Sequence, residues 1–472
     1  MDDKEFLEDQ PQDLSRREVL KFSALLGGST FLQPLSANNT TQEKTDTALI
    51  TKANILIVGG GDAGITIAAR LTKALPQATV TIVEPRETHY YQPGQTLVAS
   101  GVWKLEEITY ETKKFIPKGV TWIKDRVQSF EPDQNSVTLS SNKKLSYDYL
   151  VVATGLSLEY QKIKGLTEQD LTQDGISSIY LPSATEQTFE SIKQLAEKAK
   201  LGKVKALFTQ PNTPIKCGGA PKKIMFLAEN YLRDQGVREN VEITFLTPGE
   251  NYFGIDPYED AVKRQFKKRG LHIAMGHHLE SIDITNKTAQ FLHSYEIRGE
   301  YDKDLEEYDM IQKSEMKTLD FDFIHITPAM KAHDFVKNSP LSWQKGTNKE
   351  YGYLDVHEKS LQHKRYANVF GAGDVIGTHF GKTGGSVRKQ APVIVQNIVD
   401  ALQNRPLSAQ FDGYTVCPLI TGYGTVMLAE FNYEGVAPSF PLDPKKERWL
   451  WWLLKVYALK PMYFYGMLKG RM

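Results

Sequence analysis

A glycine-rich turn between a predicted strand and a predicted helix constrains the fold of this chain more than any other feature. It lies in the sequence KANILIVGGGDAGITIAARL, which starts at Lys52. The apolar run 55–58 predicts a buried strand, and Gly59, Gly61 and Gly64 give the spacing G-x-G-x-x-G at the start of an apolar-periodic helix. Glycines at this spacing allow a tight turn and a close backbone approach to a pyrophosphate at the helix N-terminus.

A second predicted strand supplies the acidic residue that such a site needs. The segment ATVTIVE ends in Glu84, twenty residues after Gly64, where a carboxylate binds the ribose hydroxyls of a dinucleotide. Strand, glycines, helix, strand and acid therefore follow in the order of a dinucleotide-binding unit. These residues alone do not choose between FAD and NAD.

Two later segments favour FAD. YDYLVVATG (147–155) and YANVFGAGDVIG (366–377) both read as strands that end in a glycine-containing turn. They resemble the two segments that return to the FAD domain in flavoproteins with two dinucleotide-binding domains. The resemblance implies that Asp374 contacts the FAD ribitol and that the first domain is discontinuous.

The second dinucleotide-binding unit has a strand but lacks its fingerprint. The strand KVKALFTQ (203–210) is followed by PNTPIKCGGAPKK, in which prolines interrupt the turn and no G-x-G-x-x-G occurs. Cys217 stands where a nicotinamide dinucleotide would be held. We infer that the scaffold is present without its hydride-donor site, and that electrons reach the flavin through sulfur.

The two cysteines, Cys217 and Cys417, are the only ones in the 472 residues. Cys217 lies near Lys216, Lys222 and Lys223 and before a predicted helix, a setting that lowers a thiol pKa. The alternatives are solvated lysines and an inert thiol. Spacing alone does not decide whether the two sulfurs meet.

Length and composition exclude several classes of protein. A chain of 472 residues is too long for one hydrophobic core, and its formal net charge of zero argues against nucleic acid as a partner. Two cysteines cannot form the disulfide framework of a small secreted domain. The histidines show no metal-ligand spacing, so we predict no metal site.

The segment SRREVLKFSALLGGSTFLQPLSA near the N-terminus resembles a twin-arginine export signal, which predicts export to the periplasmic face. A basic N-terminal helix is the alternative. The predicted fold is α/β, with two Rossmann-like three-layer domains and an amphipathic C-terminal segment. The predicted regions are a signal and linker (1–50), a discontinuous FAD domain (51–165 and 365–410), a second Rossmann-like domain (166–364) and a C-terminal region (411–472).

Four longer motifs resemble sulfide:quinone oxidoreductases of the mitochondrial type: NTPIKCGGAPKKIMFLAE, FDFIHITPAM, SLQHKRYANVFGAGD and DGYTVCPLITGYGTVMLAEFNY. The resemblance extends from about residue 53 to the C-terminus. It implies that hydrosulfide attacks a Cys217–Cys417 disulfide or trisulfide, with Cys217 on the flavin side and Cys417 carrying the persulfide. Lys223 would stabilise the thiolate or persulfide. FAD would pass the electrons to a membrane quinone, and the sulfane sulfur would leave to a small acceptor or grow as polysulfide.

The resemblance also implies a set of FAD contacts beyond the glycine turn: Asp62, Ala63, Glu84, Gln92, Val127, Asp374, Lys382, Gly384, Gly385, Ser386 and Val387. Some relatives attach FAD through a third cysteine; this chain has none, so we expect noncovalent FAD. Gln161 replaces an acidic residue of the mitochondrial-type enzyme, so a proton-transfer role there would fall to Glu159 or water.

The C-terminal segment DPKKERWLWWLLKVYALKPMYFYGMLKGRM combines aromatic and basic residues without the roughly 20 apolar residues of a membrane span. Its Trp449, Trp452, Leu453, Val456 and Tyr457 share a helical face, which predicts a helix lying on the membrane surface. The alternative is a helix packed on the protein's own core. A homo-oligomer is left open.

Three rival functions remain. An NADH:quinone oxidoreductase needs the nucleotide fingerprint that the second unit lacks. A flavocytochrome c sulfide dehydrogenase needs a cytochrome subunit. A flavoprotein redox sensor would use the cysteines without turnover.

Overall fold

Two parallel five-stranded sheets form the centre of the chain in a computed structural model, which describes residues 52–302 and 307–472. The predicted export signal and linker (1–50) lie outside these residues. The first sheet, sheet A, has the strand order Val369–Gly371, Tyr149–Val152, Asn54–Val58, Thr79–Val83, Thr121–Ile123. The second, sheet B, has the order Ile176–Ser177, Phe323–His325, Val204–Thr209, Val241–Leu246, His272–Ala274. The α/β fold class is confirmed.

The strands of sheet A are apolar on both faces because helices cover both sides of a parallel sheet. Four of the five residues of Asn54–Val58 are buried. A late segment of the chain, Val369–Gly371, pairs in parallel with Tyr149–Val152 and so extends the sheet that the N-terminal residues begin. The boundaries predicted for the individual domains stay a prediction.

Smaller antiparallel sheets surround the two central sheets. Their strands are Thr88–Tyr90 with Thr109–Glu111; Val127–Glu131, Ser136–Leu139 and Lys144–Ser146; Ser157–Leu158 with Met330–Lys331; His277–Asp283, Thr288–Asp302 and Glu307–Asp320; and Thr415–Gly422, Thr425–Asn432, Gly435–Val436 and Glu447–Arg448.

Helices connect these strands in the described part of the chain. They are Asp62–Ala74, Gln95–Val98, Thr185–Ala199, Ala220–Asp234, Asp256–Lys268, Asp334–Lys337, Thr347–Tyr351 and Gly384–Leu402. The C-terminal helical segment comprises Trp449–Leu453, Leu454–Ala458, Leu459–Pro461 and Met462–Met467. None of the helices in the described ranges is long and apolar enough to cross a bilayer.

A buried ion-pair network fixes helix Ala220–Asp234, which begins just after Cys217. The carboxylate of Glu229 is buried and pairs with Arg269 at 2.9 Å, with Arg238 at 3.5 Å and with Arg233. Removing one partner of a buried ion pair typically costs about 3–5 kcal/mol. The network therefore holds the C-terminal half of this helix against the end of helix Asp256–Lys268.

Only part of the helical face that the sequence predicts to lie on the membrane is exposed. Trp449, Tyr457 and Tyr465 are exposed, but Val456 is buried and packs with Trp451 and Leu454 against the protein core. Lys455, one of the basic residues of this segment, is also buried. The reason is that this part of the helix lies over the core of strands Thr415–Gly422 and Thr425–Asn432.

Candidate functional site: a glycine cradle beside a cysteine pair

The glycine turn closes at the carboxyl end of the first strand of sheet A. Gly59 has a φ of +108°, and a Cβ there would lie 2.3 Å from the carbonyl oxygen of Ala153. A Cβ on Gly64 would lie 1.8 Å from the carbonyl oxygen of Gly59. Side chains are therefore excluded where the turn meets the neighbouring strand and the helix.

An open cradle remains at the start of helix Asp62–Ala74. A Cβ on Gly61 would meet nothing within 4 Å, and the helix lacks a side-chain cap. Across from it, Gly155 has a φ of +68° and also faces open space. The buried hydroxyl of Thr154 has no hydrogen-bond partner in the described chain. Free backbone N–H groups, open space and an unpaired hydroxyl fit a dinucleotide phosphate.

Glu84 lies where the second strand predicts it. Its Oε2 accepts a hydrogen bond from the Gly60 amide at 2.7 Å, and its Oε1 accepts one from Arg86 Nε at 3.0 Å. Burial raises the pKa of Glu84, but the hydrogen bonds and charge of Arg86 outweigh burial and hold that pKa below its ordinary value. An ionised carboxylate thus lies at the edge of the cradle, as ribose binding requires.

The predicted ribitol contact, Asp374, lies on the opposite side of the cradle. The turn before it is fixed by Gln390, whose Oε1 accepts a hydrogen bond from the Gly373 amide at 2.8 Å. A Cβ on Gly373 would lie 3.4 Å from Ala63 and 3.9 Å from Val387, so these predicted contacts lie together. Burial raises the pKa of Asp374, and Lys216 and Lys382 oppose that rise.

A second helix N-terminus faces the first. Helix Gly384–Leu402 is capped by Thr383, whose hydroxyl accepts from the Ser386 amide at 3.2 Å. A Cβ on Gly384 would lie 3.2 Å from Oδ2 of Asp62. Burial raises the pKa of Asp62 to about 8, with the charge of Asp374 adding to the rise. Asp62 is therefore protonated at neutral pH, and its Oδ1 accepts a hydrogen bond from the Thr66 hydroxyl at 3.4 Å.

The two cysteines meet. Cys217 and Cys417 are free thiols that hydrogen-bond to each other, although 200 residues separate them in the sequence. Lys223 Nζ donates a hydrogen bond to Cys217 Sγ at 3.1 Å. Cys417 is buried in strand Thr415–Gly422, and Cys217 lies in the turn before helix Ala220–Asp234 with a φ of +51°.

The charges divide the pair into a thiolate and a thiol. The hydrogen bond from Cys417 lowers the pKa of Cys217 well below its usual range against burial, with Lys223 acting in the same direction. The same hydrogen bond, together with burial, raises the pKa of Cys417 well above its usual range. The thiolate in turn raises the pKa of Lys223 despite its burial, so that lysine stays charged.

Close packing explains why the pair forms. Helix Ala220–Asp234 is tied to the Cys417 strand by Asn230, whose Oδ1 accepts from the Tyr423 amide at 2.9 Å. The turn that carries Cys217 comes closest to Cys417 at Gly219, where a Cβ would lie 2.6 Å from Cys417 Sγ. A glycine at this position is what lets the buried thiol reach the turn that carries Cys217.

The cysteine pair is joined to the cradle by two contacts. The Cys217 amide donates to the carbonyl oxygen of Lys382 at 3.1 Å. A Cβ on Gly385 would lie 2.1 Å from Cγ1 of Val416, the residue before Cys417. The segment 382–387, called the KTGGSV segment, is therefore the direct neighbour of both cysteines, and it contains five of the predicted FAD contacts.

Two lysines near the pair are buried: Lys222, which the sequence already places near Cys217, and Lys455, which it does not. Lys455 is 3% exposed, and its Nζ donates to the Pro93 carbonyl oxygen at 2.6 Å. Burial and the charge of Lys223 lower the pKa of Lys455 to about 7, while the cysteines raise it. Lys222 Nζ donates to Gln210 Oε1 at 3.0 Å, and burial lowers its pKa to about 8. The sequence signal for the burial of Lys455 is its position between two apolar residues, Leu454 and Val456.

The remaining predicted residues are more scattered. Gln92 is exposed and accepts from Lys216 Nζ at 2.7 Å, which links it to the cysteine turn. Val127 begins a strand of a separate antiparallel sheet. Gln161 is exposed, whereas Glu159 is buried and pairs with Lys331 Nζ at 3.1 Å.

Comparisons with known proteins identify the family of this chain. Residues 53–197 match the family model described as pyridine nucleotide-disulphide oxidoreductase. The chain is 38% identical to the mitochondrial sulfide:quinone oxidoreductase of Dictyostelium discoideum over 93% of this chain and 90% of that protein. It is 37% identical to the Mus musculus protein of the same name, over 88% and 86% of the two chains.

Solved structures show the same fold. The sulfide:quinone oxidoreductase of Aquifex aeolicus superposes with a TM-score of 0.64 at 21% identity, covering 89% of this chain and 91% of that one. A chain from the Tetrahymena thermophila mitochondrial ATP synthase structure superposes with a TM-score of 0.72 at 20% identity, covering 92% and 99% of the two chains. By its identity to the curated relatives over most of its length, this chain belongs to the sulfide:quinone oxidoreductase family, and it is an enzyme.

Proposed function

We propose that the protein oxidises sulfide with the Cys217–Cys417 pair and passes the electrons through noncovalent FAD to a membrane quinone. The observation that carries this proposal is the hydrogen-bonded cysteine pair. Lys223 donates a hydrogen bond to Cys217 and favours its thiolate form, and the backbone of Cys217 is bonded to the KTGGSV segment. A half-buried thiolate beside a dinucleotide cradle and a charged lysine has the electrostatics of a redox site and not of an inert core thiol.

The chemistry begins from the oxidised pair. Hydrosulfide attacks Cys417 of the disulfide, a new S–S bond forms at Cys417, and the Cys217–Cys417 bond breaks. Cys417 then carries a persulfide and Cys217 leaves as a thiolate. A leaving group with a low pKa leaves faster, and Lys223 supplies that stabilisation.

Transfer of the outer sulfur to a nucleophilic acceptor returns Cys417 to a thiol. Re-forming the disulfide from this thiol and the Cys217 thiolate releases two electrons and one proton. FAD, when bound, accepts such an electron pair and delivers it to a quinone. Lys455, with its pKa of about 7, is placed to hold or release a proton beside the pair.

A membrane contact would supply the quinone. Tyr457 and Tyr465 of the C-terminal segment are 69% and 70% exposed, and Trp449 is 44% exposed. Large aromatic side chains near Lys460, Lys469 and Arg471 suit the interface of an anionic bilayer. We propose that these aromatic residues insert into the membrane surface.

Cosedimentation with anionic vesicles tests this membrane contact in wild type and in a Tyr457→Ser, Tyr465→Ser variant. Wild type should pellet with the vesicles and the variant should stay in solution. Equal pelleting of the two proteins contradicts the proposal.

Steady-state turnover tests the reaction. Sulfide-dependent reduction of a soluble ubiquinone analogue should be rapid for wild type and lost in Cys217→Ser and Cys417→Ser, with FAD content unchanged in both. NADH in place of sulfide should give no turnover, because the turn after strand Val204–Thr209 lacks the nucleotide fingerprint. Fast turnover with NADH and none with sulfide would favour the NADH:quinone alternative, and no turnover with either would favour the redox sensor.

A further inference from the structure

A small cavity lies at the carboxyl edge of sheet B. Its volume is about 60 Å³. Residues 209–213, which end strand Val204–Thr209 and follow it, form one wall; Thr327 and His278 form others. In parallel α/β sheets this edge is where ligands bind. In the present chain it is also where the missing nucleotide fingerprint would have been.

Two buried polar atoms at the cavity have no partner within the described residues. Thr327 is 3% exposed, and its hydroxyl is unpaired. The neighbouring hydroxyl, that of Thr209, is already used: it donates to the His325 carbonyl oxygen and accepts from the Thr327 amide. Nδ1 of His278 is likewise buried and unpaired. An unpaired buried donor costs about 1–3 kcal/mol, so a ligand that accepts a hydrogen bond from the Thr327 hydroxyl would recover that cost.

The lining is cationic and rich in donors. Lys162 contributes an ammonium group, and no Asp or Glu is among the residues that line the cavity. Lys162 Nζ is 4.0 Å from Glu159, whose closer partner is Lys331 at 3.1 Å. Gln210 accepts from Lys222 through Oε1, which leaves the NH2 end of its amide as a donor. Such a lining favours an anion with several acceptor oxygens.

The size of the cavity selects among anions. A cavity needs roughly 10–15 Å³ of such volume for each water it holds, so this one accepts a group of about four or five heavy atoms. That is enough for a tetrahedral or pyramidal oxyanion and far too little for a dinucleotide.

We propose that this cavity is a binding site for a small free oxyanion such as sulfate, thiosulfate or sulfite, held by Lys162 and by a hydrogen bond from the Thr327 hydroxyl. Gln210 in its wall accepts a hydrogen bond from Lys222, the residue before Lys223, which itself donates to Cys217. The cavity and the cysteine pair are therefore joined through adjacent residues of one helix. The same chemistry could come from the phosphate of a nucleotide, and the experiment separates the two.

Isothermal titration of the full-length, FAD-loaded protein with sodium sulfate, at ionic strength held constant with sodium chloride, measures this binding without turnover. Thr327→Val should weaken sulfate about tenfold or more, because a hydrogen bond to a charged group is lost. Thr327→Ser should restore most of the affinity. Lys162→Gln should weaken binding about twofold to fivefold, as expected for an exposed charge.

Lys164→Gln is the matched control, since it removes the same charge two residues away from a side chain that does not line the cavity. It should bind sulfate as wild type does. A titration with ADP forms the second arm. The proposal is overturned if wild type shows no saturable sulfate binding, if Thr327→Val and Lys164→Gln behave alike, or if ADP binds more tightly than sulfate and is lost in the same variants.

Discussion

Gly219→Ala is the substitution that most directly perturbs the packing between the cysteines. In the native structure a Cβ at this position would lie 2.6 Å from Cys417 Sγ, 3.1 Å from Leu419 Cδ1 and 3.3 Å from Phe253 Cε2. Ordinary contact requires at least 3.4 Å, so Cys417 has to move away from the turn that carries Cys217. The backbone at Gly219 has a φ of −85°, which alanine adopts without strain, so the clash is the main effect.

The magnitude follows from the geometry. A misplacement of about 1 Å between reacting groups costs on the order of 10²-fold in rate. We therefore expect Gly219→Ala to reduce sulfide-dependent quinone reduction by about two orders of magnitude. Separating the sulfurs also removes the hydrogen bond that is the main cause of the low pKa of Cys217, so the pKa of that thiol should rise.

Gly218→Ala is the control, because a Cβ at Gly218 meets nothing within 4 Å. The assays are steady-state turnover and the pH dependence of iodoacetamide alkylation of Cys217, followed by mass spectrometry of the reduced protein. Gly218→Ala should match wild type in both. Wild-type turnover and an unshifted alkylation profile in Gly219→Ala would refute the packing argument.

Three further predictions concern charge and the cradle. Lys223→Met should raise the pKa of Cys217 and shift its alkylation profile to higher pH, because a charge and a hydrogen bond are lost; the exposed Lys118→Met should not, and equal profiles would exclude a role for Lys223. Asp62 has a folded pKa of about 8 against an ordinary value of 3.8, so the folded state holds its proton and wild type loses stability as pH rises from about 4 to about 8. Asp62→Asn should therefore raise the melting temperature more at pH 8 than at pH 5, and a pH-independent difference would contradict the burial of a protonated acid. Gly61→Ala places a methyl group in open space and should leave the melting temperature of the apoprotein unchanged while weakening FAD retention on gel filtration; normal FAD retention would show that the cradle is not the cofactor site.

Local patterns predicted the parts of the site that local chemistry determines. The strand, the glycine turn, the helix and Glu84 follow from apolar runs and glycine spacing, because the sterics at Gly59 and Gly64 act over a few residues. The same reasoning found that the second unit lacks a fingerprint. The position of Cys217 before a helix and beside lysines predicted a lowered pKa, and the direction agrees.

Tertiary contacts determine the other features of the site, and residue spacing in the sequence does not predict such contacts. Cys417 meets Cys217 because Asn230 and Gly219 hold a helix against its strand, and only resemblance to a family indicated that pairing. Packing of Trp451 and Leu454 buries Lys455, although the aromatic and basic residues of its segment predict a helix on the membrane surface. Thr154 and Thr327 stand out only once the hydrogen bonds of their surroundings are known.

Anaerobic titration of the FAD-loaded protein with sulfide, followed by flavin absorbance, tests the central claim that two distant cysteines relay electrons from sulfide into the flavin. Wild type should bleach as sulfide is added, while Cys217→Ser and Cys417→Ser, carrying the same amount of FAD, should keep the oxidised spectrum. Bleaching of either single-cysteine variant at the wild-type rate and stoichiometry would show that sulfide reduces the flavin without the pair.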